Sequence, residues 1–398
     1  MLFLSTAAAG EAVITDASAK PALVASAAPD SANIKNYRDL ISRLESQSGA
    51  YGSELPENLL GLGLALQKEG RHKEAVKVFK QGTHLARING GLYSATQIPL
   101  IRGEINSLIA MSNFMEADTR QGYMLKVQQR SLSGPDSLVQ ALMQQAQWQY
   151  SAYQLDLGEQ QYSRLMNMWD LYREALSKIA SSEGESSVRL LPPLNGLLQT
   201  QYLISGYQAN PGSSSSESES DLQARQAKNR FNAYRANSYQ QGQAVIRYIY
   251  DIERAGTDQQ FLAAAQALIN LGDWKLWHGD FEPAFKAYQE AITELVERDD
   301  AKQQIGLFFG EPVALPAISE IRPLPPRVES EVANILLEFD VNTRGRVIKL
   351  VRLDDNEVSQ GDVNRLMRNL RSTRFRPRFE DMKPAATENI VYAYRITP

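Results

Sequence analysis

The chain has no cysteine, which removes disulfides, zinc–thiolate sites and thiol nucleophiles together and leaves its compartment open on that test. Histidine is scarce, with three among 398 residues. His72 and His84 stand twelve residues apart on one predicted helix, too far for a metal pair, and His278 sits beside Gly279; surface or cap roles are expected of all three. No Gly-rich phosphate loop, nucleophile elbow or HExxH occurs, so no catalytic residue, metal ligand or cofactor is assigned and an enzyme is not expected. No run approaches the roughly eighteen apolar residues that span a bilayer. There is no excess of basic charge either: the net charge of −4 speaks against a dedicated nucleic-acid binder. What the chain does have is the composition of a folded protein, 43% hydrophobic and 22% charged, and enough length for two or three domains.

The first residues, Met1 to Ala9 (MLFLSTAAA), read as the back half of a secretory signal, a short apolar run and then small residues, without the basic segment that usually precedes it. This makes the periplasm of a bacterial envelope the expected location, with the cytoplasm as the alternative. Residues 1–33 form a signal-like start and a linker rich in Ala, Ser, Pro and Asp. From Asn36 the pattern becomes helical, with Tyr37, Leu40, Ile41 and Leu44 on one stripe, and it stays helical almost to residue 300. Leu190 to Leu194 (LLPPL) reads as a break because of its paired prolines. Residues 210–221, rich in Ser and Glu, are expected to form a mobile surface loop. Residues 311–330, carrying Pro316, Pro323, Pro325 and Pro326, read as an extended connector. The four Trp fall inside helices, where packing is the default role.

Two stretches of the helical region share one ruler. Leu59, Leu62, Gly63, Leu66, Gly70, Ala75, Phe79 and Gly82 set the first copy, and all of these positions except that of Leu66 recur 209 residues later as Leu268, Leu271, Gly272, Gly279, Ala284, Tyr288 and Ala291. Small residues on both helices let them approach, the aromatic fills the gap to the next helix, and Gly70 or Gly279 turns the chain. The pattern resembles the tetratricopeptide repeat. That resemblance implies an α-solenoid over about 34–305, within a domain spanning 34–310, whose concave groove holds a protein partner. Segments 100–131, 136–155, 158–181 and 222–255 fit the signature poorly. Met115, Glu116 and Ala117 look like the start of a second helix that lacks its aromatic. Because at least three units are needed to stack a continuous core, these segments are read as degenerate repeats or longer helical pairs of the same solenoid.

Residues 331–398 change texture. Ile335, Leu337, Phe339 and Val341 alternate with Leu336, Glu338 and Asp340; Asn342 to Gly345 turn; Arg346 to Leu353 alternate again; Val363, Leu366, Met367 and Leu370 mark an amphipathic helix; Ile390 to Ile396 close as a strand. A ββαβ unit follows, its helix covering one face of a small sheet, so the fold class is mainly α with a small α+β terminal domain. Phe339-Asp340-Val341, Gly345-Arg346-Val347 and Arg374-Phe375-Arg376-Pro377 make this module resemble the C-terminal domain of the TonB energy-transducer family. Thr373 stands where that family usually has Trp, and the family's membrane anchor and proline-rich rod are not in the sequence. The resemblance therefore implies docking rather than energy transduction: an outer-membrane receptor peptide, or another envelope protein, added to the sheet edge along Asn389, Ile390, Val391, Tyr392, Ala393 and Tyr394. Arg365, Arg368, Arg371, Arg374, Arg376 and Arg378 cluster between helix and last strand. Arg368, Arg374 and Arg376 are candidate contacts for an acidic peptide, a phosphate or peptidoglycan. The same run could instead be a solvated face paired with Asp354, Asp355, Glu357, Glu380 and Asp381. The oligomeric state is left open.

Overall fold

A computed structural model describes residues 31–158, 160–208, 222–256, 261–296, 300–318 and 321–396. The signal-like start, the linker up to residue 30 and the Ser/Glu-rich stretch 210–221 lie outside these residues. Among the described residues thirteen α-helices come first: α1 (Ala32–Ser48), α2 (Leu55–Lys68), α3 (His72–Gly90), α4 (Gln97–Ala110), α5 (Phe114–Ser131), α6 (Pro135–Gln154), α7 (Gln161–Glu183), α8 (Leu191–Gly206), α9 (Leu222–Ala236), α10 (Ser238–Arg254), α11 (Phe261–Trp277), α12 (Phe281–Val296) and α13 (Ala301–Phe309). Each packs mainly on the next, except that α10 packs on both α8 and α11 while α9 lies against α7. The result is a TPR-like α-solenoid. The linker ends earlier than its composition suggests, since α1 starts at Ala32. Nor do the prolines of LLPPL break the chain. Pro192 and Pro193 stand in the first turn of α8, where their missing N–H groups cost nothing.

The repeat is written in the turns. In the turn after α2 the Arg71 N–H donates to the Leu66 carbonyl and the Gly70 N–H to Gln67, both at 2.9 Å. The same pair of bonds closes three other helices: Asn113 to Leu108 with Ser112 to Ile109, Leu157 to Ala152 with Asp156 to Tyr153, and Asp280 to Lys275 with Gly279 to Leu276. This is the Schellman closure, which needs one left-handed residue. That residue is Gly70 (φ 72°), Ser112 (φ 58°), Asp156 (φ 52°) and Gly279 (φ 84°). Ala75, Ala117 and Ala284 each stand five residues beyond it in their copies and are fully buried. Two of the middle units, α4–α5 and α6–α7, are thus repeats whose turns are made without glycine. A left-handed Ser costs about 1 kcal/mol, so Ser112→Gly is expected to raise the urea midpoint slightly and leave the slope unchanged.

Aromatic rings in glycine sockets hold neighbouring helices together. A Cβ on Gly63 would lie 2.3 Å from the Phe79 ring, and one on Gly103 of the next unit 2.6 Å from the same ring. Tyr172 fills Gly196, Trp274 fills Gly242 and Tyr288 fills Gly272 in the same manner, each ring coming within 2.4 Å of the point where a Cβ would stand. One ring therefore bridges two helices with no side chain between, which fixes the pitch of the stack.

The terminal module contains β2 (Ile335–Val341), β3 (Val347–Arg352), α14 (Gln360–Ser372) and β7 (Thr387–Tyr394), and its sheet runs β3-β2-β7, all antiparallel. Ile335, Leu337, Phe339 and Val341 face Val363, Leu366 and Leu370 of α14, with Phe375, Tyr392 and Tyr394 closing the core. Where the TonB resemblance leads one to expect Trp, Thr373 ends the helix: its hydroxyl donates to the Asn369 carbonyl at 2.8 Å. Short strands β4 (Phe375–Arg376), β5 (Arg378–Glu380) and β6 (Lys383–Ala385) lie between α14 and β7. The connector 311–330 is not a free link. Its β1 (Val313–Ala314) pairs with β4, the Leu315 N–H donates to the Arg374 carbonyl at 2.8 Å, and the Val328 N–H donates to the Ala393 carbonyl at 3.0 Å.

Asp354, just past β3, accepts from the Arg352 guanidinium and from the Leu336 and Asn356 N–H groups. The Arg352 bond leads these in holding its carboxyl down at about 2. A carboxyl depressed on folding contributes stability that is complete above its unfolded value near 3.8 and is lost as pH falls through about 2. Asp354→Asn is therefore expected to flatten the fall of the urea midpoint between pH 4 and pH 2, measured on the full chain against wild type.

Candidate protein-binding groove

The Arg/Phe/Pro segment that reads as an exposed anion site points inward, onto the last full hairpin of the solenoid. Arg376 is buried, and its guanidinium reaches both carboxylate oxygens of Asp273 in α11, at 3.3 and 3.1 Å. Asp273 is itself buried and also accepts from the Tyr288 hydroxyl at 2.8 Å. Burial pushes the Asp273 carboxyl up, opposed by Arg376 and by the Tyr288 hydrogen bond. Three residues on, Phe379 enters the solenoid core edge-on to Tyr288, Phe309 and Phe285. Arg374 stacks over the Phe281 ring at 5.3 Å. Arg374 and Arg376 thus serve the joint between solenoid and terminal module, and Arg376 offers nothing to solvent. Arg368 remains exposed, with Arg365 and Arg371, on the face of α14 opposite its apolar stripe.

The expected edge strand does stand at the edge, since β7 ends the sheet order β3-β2-β7, while its alternate side chains turn inward. In β7, Ile390, Tyr392 and Tyr394 lie opposite Phe339, Leu337 and Ile335 of β2, and the Tyr392 and Phe339 rings meet edge-on at 5.0 Å. Asn389 takes a left-handed turn (φ 56°) and donates its N–H to the Asp340 carboxylate at 2.9 Å. Alternation along an antiparallel strand leaves the main-chain groups of Val391 and Ala393 on the outer side, and the connector's Val328 takes the Ala393 carbonyl. The stretch around Val391, 48% exposed, keeps an open edge. Of the repeat residues, Leu59, Leu62, Gly63, Ala75 and Phe79, with Leu271, Gly272, Ala284, Tyr288 and Ala291, are buried in the stack, and Gly70 and Gly279 make its turns. They build the scaffold.

The open surface lies elsewhere, along the first helices of three successive hairpins, α6, α8 and α11. The connector crosses this face with Leu315, Pro316, Ala317 and Ile318, and Ile318 packs onto the solenoid core. On one side is a cavity of about 370 Å³ between Tyr153, Tyr202, Trp277 and the end of α14 at Thr373. On the other is a cavity of about 430 Å³, with Gln147 on α6, Asn195 and Gln199 on α8, and Gln266 and Asn270 on α11. Among the described residues no charged side chain lines it. Gly196 and Tyr172 also line it, the ring packed where a Cβ on the glycine would stand. Sequence reasoning missed these amides because they sit on three helices far apart in the chain. The available signal is an uncharged polar residue recurring on the exposed side of successive first helices. Among the described residues no group of His, Asp and Glu could hold a metal ion, and no helix is long and apolar enough to cross a membrane.

No protein-family model and no curated protein matches the sequence. Solved structures similar to it include BtubC (BKLC) from P. vanneervenii, 17% identical, covering 76% of this chain and 98% of that one at a TM-score of 0.36. Another is a Podosopora anserina protein described as a kinesin light chain with nearly identical TPR-like repeats, 12% identical, covering 66% and 97% at a TM-score of 0.38. It is the four matching turns within this chain that define its repeat.

Proposed function

We propose that this chain is a non-enzymatic adaptor that binds a protein partner on the face formed by α6, α8 and α11, the TonB-like module serving as a fixed wall of that groove. The carrying observation is the amide-lined cavity bounded by the connector. A surface that both donates and accepts hydrogen bonds suits a polypeptide, and rigid helices position it. The signal-like start supports work in the bacterial envelope, where assistance to receptor-linked outer-membrane transport is the finer reading; fractionation of native cells tests the compartment. A photo-crosslinking residue at Gln147, compared in those cells with one at Glu116, tests the groove. A protein adduct at Gln147 that is absent at Glu116 is expected, and equal adducts at both would refute the assignment.

The exposed row Arg365, Arg368 and Arg371 favours a second reading, attachment to the anionic cell wall, with the solenoid as spacer. On it, Arg368→Glu with Arg371→Glu would release the protein from purified sacculi, whereas the adaptor reading expects sedimentation with sacculi to be absent or unchanged by these variants. Arg376→Glu is unsuited to this test because it strikes the joint.

A further inference from the structure

The structure assigns a second site, for a free α-amino acid, to the pocket between the second helices α3 and α5. It stands apart from the α6, α8 and α11 face and holds whether or not that face takes a protein. The pocket has a volume of about 380 Å³, within the range of small-ligand sites. Glu104 of α4 lines it with a carboxylate that has no solvent exposure. Arg120 of α5 meets one carboxylate oxygen, Oε2, at 2.7 Å. The other, Oε1, has no hydrogen-bonding partner among the described residues, since Lys80 is 4.0 Å away and committed to Glu116 at 2.5 Å. Arg120 Nε and the Thr83 hydroxyl of α3, both from residues of the same lining, are buried and equally unpaired. A buried polar group without a partner is costly and uncommon, so three in one pocket mark a place for a polar ligand.

The open positions decide the class of ligand. They are an acceptor that bears negative charge, a donor that bears positive charge and a hydroxyl that can serve either way. A simple anion would meet the Glu104 carboxylate, and a simple cation the Arg120 guanidinium, like charges in a desolvated place. A ligand with both signs pairs each group with its opposite, through charge-assisted bonds that are about twice as strong as neutral ones. The spacing is short. Glu104 and Arg120 already touch through Oε2 and a terminal guanidinium nitrogen, so the open oxygen and the open N–H are neighbours. An ammonium and a carboxylate carried on one carbon match that spacing. Burial pushes the Glu104 carboxyl up, against the pull of Arg120 and Lys80, and an arriving ammonium would add to that pull. Thr119 and Tyr123 of α5 complete the wall and leave room for a side chain. A ligand held this way would join two successive hairpins, because its partners come from α3, α4 and α5.

The test uses the full chain and each free L-amino acid in turn at millimolar concentration, read by titration calorimetry and by melting temperature. At least one is expected to bind and to raise the melting temperature as its concentration rises. Its methyl ester, which lacks the carboxylate, and its N-acetyl derivative, which lacks the ammonium, are each expected to bind about tenfold more weakly or worse. Glu104→Gln should weaken binding by a similar factor. Thr83→Val keeps the shape of the side chain and decides the matter if Glu104→Gln fails to fold. By removing a buried, unpaired hydroxyl it should raise the melting temperature of the empty protein while weakening binding about threefold, a split that a merely structural role would not produce. Failure of every amino acid to bind, which leaves the unpaired groups to water, would overturn the assignment. So would equal binding of the ester or the N-acetyl derivative, displacement of the amino acid by inorganic phosphate or by spermidine at equal concentration, or an affinity unmoved by both variants.

Discussion

Replacing Arg376 with Ala is expected to lower the stability of the chain by about 3–5 kcal/mol, the usual cost of stranding one partner of a buried ion pair. Asp273 would then keep a buried carboxylate with only the Tyr288 hydroxyl at 2.8 Å for company. The loss should also free the terminal module, because Arg376 belongs to β4, and β4 is the strand that pairs with β1 of the connector. The double change Asp273→Leu with Arg376→Met should recover much of the stability, since a well-packed apolar pair often equals a buried ion pair. Urea unfolding of the two variants against wild type decides the matter. If Arg376→Ala costs less than about 1 kcal/mol, as an exposed pair would, the inward placement of this side chain is wrong.

Phe79→Ala should cost a similar amount, about 3–5 kcal/mol for emptying a fully buried ring site, but for a different reason. The Phe79 ring sits in the sockets of both Gly63 and Gly103, so its removal unpacks two helices of one unit from the first helix of the next. Gly103→Ala alone presses a methyl against the same ring, and overpacking costs typically about 1–3 kcal/mol. In the Phe79→Ala background the added methyl at Gly103 fills part of the cavity, so the two changes together should cost less than their sum. Additive effects would show that Phe79 and Gly103 do not share a site.

The two outer repeats and the ββαβ order were legible in the sequence because their signals are local: glycine turns, alternation and a helical stripe. The repeat at α4–α5 was hidden because Ser112 does the work of a glycine, and because buried Glu104, which pairs with Arg120 at 2.7 Å, stands among the apolar residues of α4. The repeat at α6–α7 was hidden by Asp156 in its turn. The fate of Arg376 was not legible from its neighbourhood, since an arginine run looks like a solvated face. Its partner gave a clue, however. Asp273 stands in the largely apolar stretch ALINLGDWKLW directly after the socket residue Gly272, and a buried acid at such a position calls for a hydrogen-bonding or charged partner. The amides of the groove were illegible for a plainer reason, that only the stacking of α6, α8 and α11 brings them together.

The central claim is that solenoid, connector and terminal module form one body, with the connector laid across the binding face. Native-state hydrogen exchange of the full chain tests it at two amides, Leu315, which donates to Arg374, and Val328, which donates to Ala393. Both are expected to exchange as slowly as the amides of the module's own β2, opening only with the module. Exchange at the rate of an unstructured linker, while β2 stays protected, would contradict the claim and return the connector to a tether between independent domains.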